Sequence, residues 1–231
     1  MTRERVVETS QGIQGEFTVE IYDRMQRRFR DKGWIETKAV IQSGIATGTV
    51  LEVGPGPGYL GLEWLKHTEG TQLAGLDISS DMIAVAQRNA AEYGLTARTQ
   101  YVESKDARLP FDDDNFDAAF SNGSLHEWSD VPRMLSEIWR VLKPGARVFL
   151  SDLRRDLIAP VKWFMWLATR PKAIRPGLLT SINAAYTPAE VRSLLRDSRF
   201  KSFTVSSNPM GLQVTANKEK QISNQADARD G

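Results

Sequence analysis

No cysteine occurs in the 231-residue chain. Its absence removes disulfides, cysteine-ligated zinc, iron–sulfur clusters and every mechanism that uses a thiolate nucleophile. Charge of one sign is lacking too: 30 basic residues face 29 acidic ones, a formal net of +1, so nothing advertises a surface that tracks nucleic acid or another polyanion. No apolar run approaches the ~20 residues that span a bilayer. The N-terminal "MTRERVVETSQG" has no apolar core of a secretion signal. The expectation is a cytoplasmic soluble protein without stable membrane insertion. At 41% hydrophobic and 26% charged, the chain suits one sizeable domain of mixed class with appendages.

What is present is an alternation. "TVLEV" (49–53), "TQLAGL" (71–76), "RTQYV" (98–102), "FDAAF" (116–120) and "ARVFL" (146–150) read as buried strands. Between them lie helices. Over 81–93, Met82, Val85, Ala86, Asn89, Ala90 and Tyr93 share a face, Ser79 or Ser80 caps the start and Gly94 ends it. Over 130–142, Met134, Leu135, Ile138, Val141 and Leu142 face inward and "KPG" (143–145) is the stop. Such alternation makes parallel strands with right-handed crossovers, a doubly wound α/β sheet. The region 153–186 shows no strand signal. Thr187 with Glu190 then forms a capping box with Pro188 at the first helical position. "FKSFTVS" (200–206) and "GLQVTAN" (211–217) read as an antiparallel hairpin closing a seven-stranded, mostly parallel sheet. The tail 218–231 is polar, and a flexible segment is expected there.

"LEVGPGPGYLG" (51–61) is a glycine-rich turn leaving the first strand, at the sheet edge where doubly wound folds bind ligands. A pyrophosphate selects bare amides and a helix N-terminus. The anionic Glu52 is the wrong neighbour for it, whereas a phosphate-free nucleoside with a cationic centre, as S-adenosylmethionine is, tolerates that acid.

Together with "AGLDIS", "ESKDARLPF", "FDAAFSNGSLHEW" and "VLKPGARVFLSD", the loop resembles the class I S-adenosylmethionine-dependent methyltransferases, in particular the ubiquinone/menaquinone C-methyltransferase-like group. The likeness runs over 35–217. It implies a Rossmann-like domain there, with a helical cap at 1–34 and a lid insertion at about 153–186. It further implies that Gly54, Gly56 and Gly58 wrap the methionine part of the cofactor and that Asp77 takes the ribose hydroxyls. Ile78 and Met82 would flank the adenine, Asp106 with Ala107 would meet its amino edge, and Ser121, Asn122 and Gly123 would floor the sulfonium. Asp77 also fits an ordinary N-cap acid, and Asp106 sits in a solvated acidic stretch. Asp112, Asp113 and Asp114 belong to that stretch, and no metal site is expected.

His126, just beyond the fourth strand, is the candidate general base; the alternative is that it and Glu127 only orient the loop. In the lid, Arg154, Trp163, Trp166, Asn183 and Tyr186 are the acceptor candidates, and the aromatics suggest an apolar or aromatic small molecule. Phe17, Ile21, Met25 and Phe29 form a stripe of the kind that usually packs on a core; such a helix could also close over the cofactor, and Tyr22 beside it resembles the tyrosine with which related enzymes cover it. Two rivals remain. "GPGYLG" is a literal G-x-G-x-x-G, which would mean an NAD(P)-dependent oxidoreductase. Methylation of a macromolecule is the other, although "SNGS" (121–124) is not the tetrad of amino-methylating DNA enzymes.

Overall fold

The structure, a computed structural model, describes residues 4–7, 15–105 and 108–220. Asp106 and Ala107 lie outside the described residues, as do the side chain of Phe17 and the tail from 221 onward.

Seven strands make one sheet: β1 Thr49–Val53, β2 Gln72–Asp77, β3 Thr99–Glu103, β4 Phe116–Asn122, β5 Leu142–Leu153, β6 Ser202–Ser207 and β7 Gly211–Asn217. Their order is β3-β2-β1-β4-β5-β7-β6. The first five run parallel, and β7 pairs antiparallel with both β5 and β6. The expected hairpin is there. The helices are α1 Glu16–Asp31, α2 Thr37–Gln42, α3 Tyr59–Lys66, α4 Ser80–Glu92, α5 Val131–Val141, α6 Ala159–Ala168, α7 Arg175–Ala184 and α8 Pro188–Asp197.

Period-2 alternation splits each central strand between two cores. Leu51, Ala74, Ala119, Val148 and Leu150 join α5 and α8 on one face. Val50, Leu73, Ala118 and Phe149 join α2 and α3 on the other, around Trp64. The Trp64 indole is fully buried and donates to the Ile45 carbonyl at 2.8 Å, which removes the penalty of a dry N–H. Each fully buried Val or Leu in these layers contributes about 1.5–3 kcal/mol of transfer energy.

Helix starts follow their caps. Ser79 accepts from the Met82 amide, Asp130 from Arg133, and Thr187 with Glu190 closes a reciprocal capping box. One boundary differs from expectation. "KPG" does not separate α5 from a short strand; β5 begins at Leu142, because Leu142 pairs with Phe116 across a register shift. Lys218, assigned by sequence to the tail, is buried: its amide donates to Ala146, and its ammonium reaches the Leu142 carbonyl and Asp114, each at 2.6 Å.

Candidate active site

The carboxyl ends of β1, β2 and β4 open into a cavity of about 690 Å³, where the strand order reverses between β1 and β4. Gly54 opens the loop at φ 69°, and a side chain there would strike Ser124 at 2.5 Å. Its amide donates to the Leu76 carbonyl, tying the loop to β2. Gly56, at φ 52°, donates its amide to Asp77 Oδ2 at 3.0 Å, while Ser79 donates to Oδ1. Bare backbone therefore faces the cavity, and Asp77 is held at its wall by two amides. Burial raises the Asp77 pKa, and those amides oppose the shift. Gly58 serves the turn instead: it caps α3 in the left-handed region and backs onto Tyr101.

Glu52 also lines the cavity, yet it is only 2% exposed. Its Oε2 finds no hydrogen-bond donor among the described residues. Burial pushes its pKa up to about 8; the Gly61 amide works against that rise and the nearby Asp77 charge adds to it. That oxygen is packed against Gly61 of α3 and Leu73 of β2, so Glu52 sets a dry acid behind the glycine loop, which favours a cationic group in the cavity over an anionic one.

At the end of β4, Asn122 and Gly123 line the cavity. Ser121 does not: it is buried, and its hydroxyl shares a 2.7 Å hydrogen bond with Ser124. Ser124 takes its place at the wall and receives the Trp128 indole N–H at 3.1 Å. A 3-10 turn, Leu125–Glu127, then turns His126 inward. That residue is 3% exposed, with Nδ1 2.8 Å from Asp152 Oδ1 and its amide donating to Oδ2 of the same carboxylate. It is not part of the cavity wall, whereas Glu127 is, with Oε1 3.9 Å from His126 Nε2.

The cap helix supplies the roof. Tyr22 and Gln26 line the cavity, the amide of Gln26 donating to the Tyr22 hydroxyl at 2.9 Å. Asp23, on the same helix and 6% exposed, accepts from Tyr59 at 2.9 Å and Asn89 at 3.1 Å and pairs with Arg88. This latch fastens α1 to α3 and α4. Ile78 and Met82 are in the wall as expected.

None of the five acceptor candidates reaches this cavity. Arg154 pairs with Asp156 and Trp166 stacks on Arg175. Asn183 accepts from Lys162, Tyr186 lies under Arg5 at 4.2 Å, and Trp163 is exposed. The wall holds instead Ile35, Trp128, Ser129, Asp130, Arg133 and Met134. The available signal for all but Ile35 was positional: α5 starts just after the β4 loop, so the residues at its start face the same edge. Among the described residues, no group of acidic and histidine side chains is arranged to hold a metal.

Residues 51–150 match the family model described as a methyltransferase domain. The chain is 29% identical to the demethylmenaquinone methyltransferase of Porphyromonas gingivalis, over 61% of this chain and 59% of that one. It is 32% identical to the 2-phytyl-1,4-naphtoquinone methyltransferase of Nostoc punctiforme, over 58% and 59%. The chain thus spans about three-fifths of the length of these curated relatives. A SAM-dependent methyltransferase from Aquifex aeolicus shares the fold at a TM-score of 0.62 and 22% identity, covering 80% of this chain and 90% of that one.

Proposed function

We propose, from the premise that residues 51–150 constitute a methyltransferase domain, that the protein transfers a methyl group from S-adenosylmethionine to a small apolar or aromatic acceptor of quinone type. The observation that carries this reading is the convergence of the Gly54–Gly56 backbone, Asp77 and the buried acid Glu52 on one cavity. The residues fit the cofactor. Asp77 offers two carboxylate oxygens to vicinal hydroxyls, Ile78 and Met82 offer apolar surface to a purine, and Glu52 sets an acid behind the loop that would meet the ammonium and sulfonium end. Bound cofactor supplies an electrophilic methyl group. The chain's own contribution is to hold the acceptor in line with that group and to keep the site dry.

Tyr22 and Gln26 close the roof. Ile35, Trp128 and Met134 give the acceptor an apolar wall. A proton leaving the acceptor goes to Glu127, the carboxylate in the wall, with His126 behind it and Asp152 fixing the imidazole. His126 thus acts through Glu127. The named relatives methylate quinones, which favours a redox-active ring as acceptor here. Among the described residues no helix is long and apolar enough to cross a membrane, and a cytoplasmic site of action accords with this assignment.

The test is calorimetric titration with S-adenosylmethionine and S-adenosylhomocysteine, with NADH and NADPH as controls. Saturable binding of the sulfur nucleosides, weakened in D77A, is expected. Binding of a dinucleotide instead would mean that "GPGYLG" is an oxidoreductase fingerprint.

A further inference from the structure

The α6 helix is apolar on both sides and turns one of them to water. A surface helix ordinarily turns its apolar stripe to the core and its charges to water. Here the exposed positions are Ala159, Pro160, Trp163, Phe164, Leu167 and Ala168, all apolar. Trp163 is 64% and Phe164 59% exposed. The half-buried side carries Val161, Lys162, Met165 and Trp166, with Lys162 turned to Asn183 of α7 and Trp166 against Arg175. Ile158, just before the helix, extends the bare apolar surface. No α6 residue lines the main cavity, so this face does not serve as its wall.

Charge along the segment that carries α6 has one sign. Between Asp156 and Glu190 the chain carries Lys162, Arg170, Lys172 and Arg175 and no acid. Arg170 and Lys172 are exposed. Exposed Arg24 and Arg28 of α1 adjoin this segment, forming a shallow hollow with Pro171 and Ala173; Asp31, also there, is paired with Arg30 at 2.6 Å. A second copy of the chain is a poor occupant, because a two-fold contact would set these cations against themselves. Tryptophan, phenylalanine and leucine flanked by lysine and arginine match the boundary between acyl chains and anionic headgroups.

We propose that α6 docks the protein on an anionic lipid surface, inserting Trp163, Phe164 and Leu167 while Arg170, Lys172, Arg24 and Arg28 face the headgroups. This binding is independent of the methyl-transfer assignment and is read without cofactor or acceptor.

The experiment is cosedimentation of the full chain with phosphatidylglycerol–phosphatidylcholine vesicles and with pure phosphatidylcholine vesicles. Binding to the anionic vesicles, weakened by added salt, is expected. K172Q should lose roughly fivefold in affinity, and the double variant W163S/F164S roughly tenfold or more. Both substitutions are at exposed positions, and the thermal midpoint of each variant confirms folding. Sedimentation velocity runs alongside. Binding to neither vesicle, binding that W163S/F164S leaves unchanged, or a dimer that W163S/F164S dissociates would each overturn the proposal.

Discussion

Glu52 makes the cavity sensitive to protons in a way that can be counted. In the free protein its carboxyl titrates near 8 instead of the ordinary 4.5, chiefly because it is buried. The folded pKa is raised, so the protonated form is the one the fold favours. Its stabilising share is complete below pH 4.5 and disappears as pH rises to about 8, a total of about 5 kcal/mol. A cationic ligand reverses that preference, since the ionised carboxylate is what it attracts. At pH 7 a group titrating near 8 is mostly protonated, so binding should expel about 0.9 proton per cofactor bound. Affinity should then rise roughly tenfold from pH 6 to pH 7 and level off above 8.

Calorimetry in two buffers of different ionisation enthalpy gives the proton count directly. The E52Q variant should show neither the proton release nor the pH slope, and its unfolding free energy should stay flat where the wild type declines. Zero net proton exchange in the wild type at pH 7, or the same count in E52Q, refutes this account of Glu52.

Replacing Asp77 by alanine removes both oxygens proposed to take the ribose hydroxyls and strands the Gly56 and Ser79 amides; cofactor affinity should fall on the order of a hundredfold by calorimetry. G54A puts a methyl 2.5 Å from Ser124 at φ 69°, which should lower stability by about 1–3 kcal/mol in urea unfolding and abolish saturable cofactor binding. D23A leaves Tyr59, Asn89 and Arg88 without their common partner; α1 should loosen, with about 2–4 kcal/mol lost in thermal denaturation and faster amide exchange in the helix. Once an acceptor is found, E127Q should depress kcat and change its pH profile, while H126N should do so less; equal effects of the two would place the imidazole itself at the reacting atoms.

The strands were legible where turn residues fence them. β1 and β7 fall at the expected residues because Gly48 precedes one and Gly211 opens the other. β5 was read short, since "KPG" looks like punctuation until its partners in β4 and at Lys218 are seen. Gly54, Gly56, Asp77, Ile78 and Met82 share the cavity wall because the motif fixes their distance from a strand end, whereas Tyr22, upstream of every strand, was legible only by resemblance. His126 shows the limit of that reasoning: spacing places it on the loop, but only the turn that follows Ser124 decides that its ring points to Asp152 and not to the cavity. Likewise, α6 is apolar on both sides apart from Lys162, so no periodicity tells which side meets the protein. Trp163, an acceptor candidate on the lid resemblance alone, is exposed.

The distribution of the cavity wall along the chain has a practical consequence. Apart from Tyr22, Gln26 and Ile35, every wall residue falls between Glu52 and Met134. That block is complete before the chain reaches β5. The segment from Arg154 to Tyr186 leaves the sheet after β5, and the chain regains it only at β6. The segment thus contributes no residue to the cavity wall, and a chimera built at Leu153 and Thr187 should keep cofactor affinity while changing which surface or partner the protein meets.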